Sequence, residues 1–383
     1  MVDLKKNNII IFLIISLVIN CIVPFKVMGK TNDYISSYVK TEKQPIYIDA
    51  KNAIAIDANT GAVLYEKNSN ELVPIASTTK IITTLVTLKY GNLDKEVKIS
   101  ENAAKIKGST VGYKKGEIVT LRELLFGLML RSGNDAAIAI AEGVAGSVDE
   151  FAKLMNEYSA EIGLLNSHFQ TPHGLDKDQH YSTAYDLARA TAIAKQNKWF
   201  NKIVGTKDID KGEYNFTRSY HNINKILWKI PGANGVKTGY TGKAGKCLVT
   251  SSKFKESEVI IVVLNCTPRW KETEKIYKYL EKNYDFKKVC SKNQVLGESI
   301  FEEGTVKIVA DKDVIVPFKK GGNYSVKVFK PKSLKWKVEK GDKFGTLCVF
   351  ENDKLIYKLE LKAGNSLNKN NIKKWFFDMS KSS

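Results

Sequence analysis

The spacing of apolar residues changes repeatedly along this 383-residue chain, and each change marks an element. Near the start, Ile9 to Val23 forms an apolar run behind Lys5 and Lys6, with Val27-Met28-Gly29 after it. That order fits a secretory signal peptide over residues 1–29, and the run is shorter than the about 20 apolar residues of a spanning helix. Beyond Pro74, Ile81, Leu85 and Leu88 recur at helical spacing, which predicts a helix beginning at or just before Ser77. Thr120 to Leu130 reads as a buried helix, Ser132-Gly133-Asn134-Asp135 interrupts it, and Ala136 to Glu142 resumes a small-residue helical pattern. Lys237 to Tyr240, Cys247 to Thr250 and Val259 to Leu264 read as neighbouring strands, and Glu272 to Asn283 as a helix.

From Phe286-Lys287-Lys288 onward the period becomes two. Gly304 to Val309, Val314 to Phe318, Tyr324 to Val328, Leu334 to Val338 and Phe344 to Phe350 alternate apolar and polar residues between turn residues. The pattern predicts a mixed α/β (α+β) domain over 30–286, then a small all-β domain over 287–364. In the last segment, 365–383, Ile372, Trp375, Phe376 and Met379 fall at helical spacing among Lys369, Lys373, Lys374 and Lys381. A basic amphipathic helix of this kind lies in an anionic membrane surface, or packs on the β domain.

Charge agrees with export to an anionic setting. The net charge of +19 favours anionic lipid or wall polymers. Nucleic acid is disfavoured as a partner, because the chain carries an export signal and no nucleic-acid motif. After cleavage Cys247, Cys266, Cys290 and Cys348 remain; no bridge is assigned, since Cys247 and Cys266 sit in apolar strand patterns where a thiol packs as a small hydrophobe. His168, His173, His180 and His221 lack metal-ligand spacing and read as turn or capping groups. No metal and no cofactor is expected.

Candidate chemistry sits in Ser77-Thr78-Thr79-Lys80, Ser132-Gly133-Asn134 and Lys237-Thr238-Gly239. Residues three apart share a helix face, so Lys80 reaches the Ser77 hydroxyl, and a helix N-terminus supplies amides for an oxyanion. Lys80 acts as a base only if its pKa is lowered, by burial and by a second cation, for which Lys237 is the candidate. Ser132-Gly133-Asn134 has two readings. It is a helix connection capped by Asn134 or Asp135, or Ser132 relays a proton to the leaving amine while the Asn134 amide binds substrate backbone. Lys237 and Thr238 form a rim for a substrate carboxylate, and Gly239 allows close approach to the strand.

In this order the three segments form the signature of β-lactamases and penicillin-binding proteins. The chain resembles the low-molecular-mass penicillin-binding proteins that act as D-alanyl-D-alanine carboxypeptidases, from about Ala53 to about Lys362. Beyond the tripeptides, the resemblance rests on Ala55 to Tyr65, Thr171-Pro172-His173-Gly174-Leu175, His180 to Leu187, and Tyr240-Thr241 with Ala244-Gly245. It implies a penicillin-binding/β-lactamase-like transpeptidase fold, an antiparallel sheet flanked by helices, with a C-terminal β domain. It also implies that Ser77 attacks the bond between two D-alanines of a peptidoglycan stem peptide, and that β-lactams acylate it. Lys80 would serve as base, the N–H groups of Ser77 and Tyr240 as oxyanion hole, and Thr238, Lys237 and Arg269 as receptors of the terminal carboxylate. Class A β-lactamases place a deacylating glutamate in Glu-x-x-x-Asn; Glu161 to Asn166 has one residue too many and reads as a helix end. A D,D-endopeptidase and a non-hydrolytic penicillin sensor remain as alternative uses of the same site.

Overall fold

The computed structural model describes residues 45–333 and 337–368. The expected signal peptide, the strand positions Leu334 to Trp336 and the tail 369–383 lie outside the described residues.

Strands β1 (Asn52–Asp57) and β2 (Val63–Lys67) form a hairpin. Two short ribbons follow, β3 (Glu96–Lys98) with β4 (Ile118–Thr120) and β5 (Asp208–Ile209) with β6 (Tyr220–His221). Then come β7 (Ala233–Thr241), β8 (Gly245–Phe254) and β9 (Ser257–Leu264). One five-stranded antiparallel sheet results, in the order β2-β1-β9-β8-β7, with β7 at its edge. The unbroken apolar run of β9 has a simple cause: both faces are covered. Ile260, Val262 and Leu264 enter one core, and Val259, Ile261 and Val263 the other.

The first core is roofed by helices. These are α1 (Lys80–Tyr90), α2 (Glu101–Lys105), α3 (Leu121–Leu130), α4 (Asn134–Ala145), α5 (Val148–Glu161), α6 (Ala184–Ala194) and α7 (Lys198–Gly205). The second core is closed by α8 (Arg269–Asn283), through Ile276 and Leu280. Helix starts are written locally. Thr120, Ser147 and Thr183 each accept a hydrogen bond from the amide three residues on, at 3.2, 3.1 and 2.9 Å. α4 differs: its N-cap is Gly133, and Asn134 and Asp135 lie inside the helix with their side chains free for other partners. The capping alternative for those two residues is therefore not what the chain adopts.

A third core belongs to the C-terminal strands β10 (Tyr284–Cys290), β11 (Val295–Phe301), β12 (Gly304–Val309), β13 (Val314–Lys319), β14 (Tyr324–Phe329), β15 (Lys337–Val338), β16 (Lys343–Glu351), β17 (Lys354–Ala363) and β18 (Leu367–Asn368). β11-β12-β17-β16-β14 form a sheet, while β10 pairs with β13 and β15 with β18. Position 286, where the domain boundary is expected, falls within β10: Phe286 packs on the second core and Cys290 in the third. Strand pairing also continues past 364, to Asn368, and the Asn365 side chain accepts from the Lys307 amide at 2.8 Å.

Candidate active site

Ser77 lies in the 3-10 turn Ala76–Thr79, directly ahead of α1, and Ala76 holds φ +49°. That left-handed residue is stabilised from behind. Gln170 N–H donates to His180 Nδ1 (3.0 Å), which leaves the ring proton on Nε2 for Thr79 Oγ1 (2.8 Å), whose own proton goes to the Ala76 carbonyl (2.8 Å). Gly174, at φ +83°, packs against the same carbonyl; a Cβ there would stand 2.0 Å from Ala76 O.

Lys80 opens α1 and is fully buried. Its Nζ donates to Ser77 Oγ at 2.9 Å, Asn134 Oδ1 at 2.8 Å and the His173 carbonyl at 2.9 Å. All three acceptors are uncharged. Burial holds the Lys80 pKa well below the ordinary lysine value, Lys237 pushes it the same way, and Asp135 opposes them. Asp135 is itself occupied, since its carboxylate accepts from the amides of Val111, Gly112, Tyr113 and Ala136 at 2.8–3.2 Å.

Asn134 is held by the protein itself. Its oxygen is turned to Lys80 and its nitrogen donates to the Lys107 carbonyl at 2.8 Å, so one N–H remains uncommitted. Ser132 sits between α3 and α4, 5 % exposed and at φ +61°, a conformation costly for a residue other than glycine.

β7 supplies the opposite wall. Lys237 is buried, donates to the Thr238 carbonyl at 3.0 Å, and has a pKa lowered to about 7 by burial and then by Arg269. Thr238 is buried, while Tyr240 is 67 % exposed at the outer rim. A Cβ on Gly239 would meet Ala76 Cβ and Ser77 N at 3.1 Å and Ile75 O at 3.2 Å. Glycine is thus needed for packing of β7 on the Ser77 turn, a reason nearer than the expected approach of substrate. Arg269 begins α8 and donates from Nη1 to the carbonyls of Gly239 (2.8 Å) and Cys247 (3.1 Å). It fixes the strand and places a cation beside Lys237.

Sequence reasoning brought Ser77, Lys80, Asn134, Lys237, Gly239 and Arg269 to one place, and the described structure joins them through these contacts. It missed the His173 carbonyl, the Asp135 anchor, the His180 relay and the fit of Gly174. Thr171-Pro172-His173-Gly174 signalled a turn, yet nothing in the letters says that its carbonyl faces Lys80. Glu161 pairs with Lys89 on the surface at 3.5 Å, near the far end of α1. Cys247, Cys266, Cys290 and Cys348 are buried free thiols.

Known proteins resemble this chain in sequence and in fold. A profile of the D-alanyl-D-alanine carboxypeptidase family matches residues 38–267, and one of the penicillin-binding protein 5 C-terminal domain matches 284–369. The D-alanyl-D-alanine carboxypeptidase DacF of Bacillus subtilis is 33% identical over 339 residues, covering 84% of this chain and 86% of that protein. Penicillin-binding protein 5 of Haemophilus influenzae superposes with a TM-score of 0.74 at 29% identity, over 85% of this chain and all of that one (100%). A D-alanyl-D-alanine carboxypeptidase from Mycobacterium tuberculosis superposes with a TM-score of 0.58 at 30% identity, over 62% of this chain and 92% of that one. A family match over more than half of the chain, with a relative that aligns along most of both lengths, makes this protein a member of the D-alanyl-D-alanine carboxypeptidases, the low-molecular-mass penicillin-binding proteins of serine peptidase type.

Proposed function

We propose that Ser77 is the residue acylated when this enzyme removes the terminal D-alanine from peptidoglycan stem pentapeptides. The observation that carries the assignment is a fully buried lysine 2.9 Å from the Ser77 hydroxyl, with only neutral hydrogen-bond acceptors. Neutral Lys80 takes the Ser77 proton as Oγ attacks the penultimate D-alanine carbonyl. The Ser77 and Tyr240 amides receive the oxyanion. Thr238, Lys237 and Arg269 draw in the terminal carboxylate, and Ser132 passes a proton to the departing amine. Water, activated by Lys80 in turn, hydrolyses the ester, since among the described residues the partners of Lys80 include no glutamate and Glu161 pairs with Lys89. β-Lactams enter the same path and stop at the ester.

Export under the N-terminal signal, and residence at the outer face of the cytoplasmic membrane through the basic tail, complete the proposal. Both suit a substrate found only outside the cytoplasm.

The test is mass spectrometry of intact protein after penicillin treatment, with peptide mapping, beside an assay of released D-alanine. The adduct is expected on Ser77, and Ser77→Ala is expected to lose both adduct and D-alanine release. A Ser77→Ala protein that kept both would sink the assignment. Cleavage of purified cross-linked dimers faster than pentapeptide trimming would favour the endopeptidase.

A further inference from the structure

The loop between α2 and β4 carries no helix or strand of its own, yet it is stitched closely to the first turn of α4. The Lys107 carbonyl takes an N–H of the Asn134 side chain, and the Ser109 carbonyl takes the Asn134 backbone N–H, both at 2.8 Å. The Asp135 carboxylate, 1 % exposed, then accepts from the amides of Val111 (2.9 Å), Gly112 (2.8 Å) and Tyr113 (3.2 Å). Three consecutive amides of this kind form an anion-binding concavity. The fit is close: a Cβ on Gly108 would come 2.8 Å from Asn134 Nδ2, and one on Gly133 would come 2.7 Å from both Asp135 Oδ1 and Val111 Cγ2. Tyr113 is itself buried and its hydroxyl meets that of Tyr220 at 2.8 Å, so the loop has a fixed far end.

What the stitching settles is the direction of the Asn134 amide, and through it the direction of a lone pair. Charged Lys80 donates to all three of its partners. Neutral Lys80 keeps two N–H groups and gains one lone pair. Asn134 Oδ1 and the His173 carbonyl can only accept, so they take the two N–H groups, and the lone pair is left to Ser77, the partner that can donate. Turning the Asn134 amide over would bring its nitrogen to Lys80 and spend the lone pair there. The Lys107 carbonyl opposes this, because it would then face an amide oxygen instead of a donor.

We infer that Asp135 is a positioning residue for acylation: it holds the 107–113 loop on α4, so that the Lys107 carbonyl fixes the Asn134 amide and the Lys80 lone pair is directed to Ser77. The inference rests on Lys80 being the base for Ser77. Asp135 acts through the loop and Asn134, not on the substrate. Its charge also reaches Lys80 directly and raises that pKa, against burial and Lys237. This direct influence does not pass through Asn134, and the two are therefore separable.

The experiment is a double-mutant cycle on the full chain. Labelled penicillin reports the limiting acylation rate per active site, with active sites counted from the end-point adduct. Asp135→Asn is expected to slow that rate by roughly tenfold, as for a misplaced catalytic group, with the half-saturating penicillin concentration changed by less than about twofold. In an Asn134→Ala background the same substitution is expected to cost less than about threefold, since the amide it acts through is gone. Gly108→Ala, which crowds Asn134 Nδ2 from the loop side, is expected to show the same pattern and replaces Asp135→Asn if that protein does not fold. Equal losses in the two backgrounds, or fewer active sites with the rate per site unchanged, would overturn the positioning role while leaving Ser77 and Lys80 in place. A Ser77→Ala protein that still took up the label would overturn the reading beneath it.

Discussion

The proposed role of Lys80 as base depends on where it lies, and Lys237 is part of that environment. With burial first and Lys237 second among the causes of its lowered pKa, replacing Lys237 by methionine removes the second. The acid limb of the pH profile for penicillin acylation is then expected to move to higher pH, by up to about one unit. An unmoved limb would separate the two lysines. Lys237 also carries a stability signature. Its folded pKa of about 7 is below its ordinary 10.5, so between those values the unfolded chain binds more protons. Stability from this site rises with pH across that window, and the full cost of the buried charge stands below about pH 7. Lys237→Met is therefore expected to raise Tm most at pH 6, by about 2–4 °C for each kcal/mol relieved, with the gain shrinking toward pH 10.5. A gain that does not change with pH would argue for packing instead. At this scale the sequence disclosed Ser77 and Lys80, because three-residue spacing on a helical turn fixes their meeting. It did not disclose that Asn134 turns its oxygen to Lys80, since that orientation depends on the Lys107 carbonyl, from a different loop.

Between residue and domain, the Ser77 turn is shaped by elements that meet it from two sides. Gly239 on β7 presses on Ser77 N, and Gly174 presses on Ala76 O. The second contact is the tighter, and the positive φ of Gly174 adds backbone strain for any other residue. Gly174→Ala is expected to slow acylation at least 100-fold and to cost more than about 2 kcal/mol of stability, measured by labelled-penicillin kinetics and by urea unfolding. Gly61→Ala, which has a positive φ but open space around its Cβ, is the control for backbone strain alone. Elements were legible where one face or both faces are buried. The continuous apolar run of β9 and the alternation of β12 each have a direct cause in how many sides are covered. The 3-10 turn ahead of α1 is not distinguishable from plain helix in the sequence, because the His180 ring that orients Thr79 against it lies 101 positions away. The end of the all-β domain was set too early, because β18 is a two-residue strand with no period to read.

At the scale of the whole molecule, the two domains share β10, which enters the second core at its start and the third at its end. The described strand pairing closes at Asn368. Residues 369–383 follow that last described pairing in sequence. Deleting 369–383 is expected to shift the protein from the membrane to the soluble fraction with kcat/KM on soluble pentapeptide unchanged. Unchanged partition would place the attachment elsewhere. The division into a catalytic and an all-β domain was readable from the change of period near Phe286; the shared strand was not, since pairing of β10 with β13 is a long-range choice.

The edge position of β7 has a further consequence, in time. Ser77 and Lys237 are separated by most of the catalytic domain in sequence, and β7 joins the sheet through β8 alone. Contacts of such separation carry a loop-closure cost that local turns do not. A refolding chain is therefore expected to take up labelled β-lactam only once β7 has packed on the Ser77 turn. Covalent labelling by penicillin becomes a stopwatch for completion of the fold.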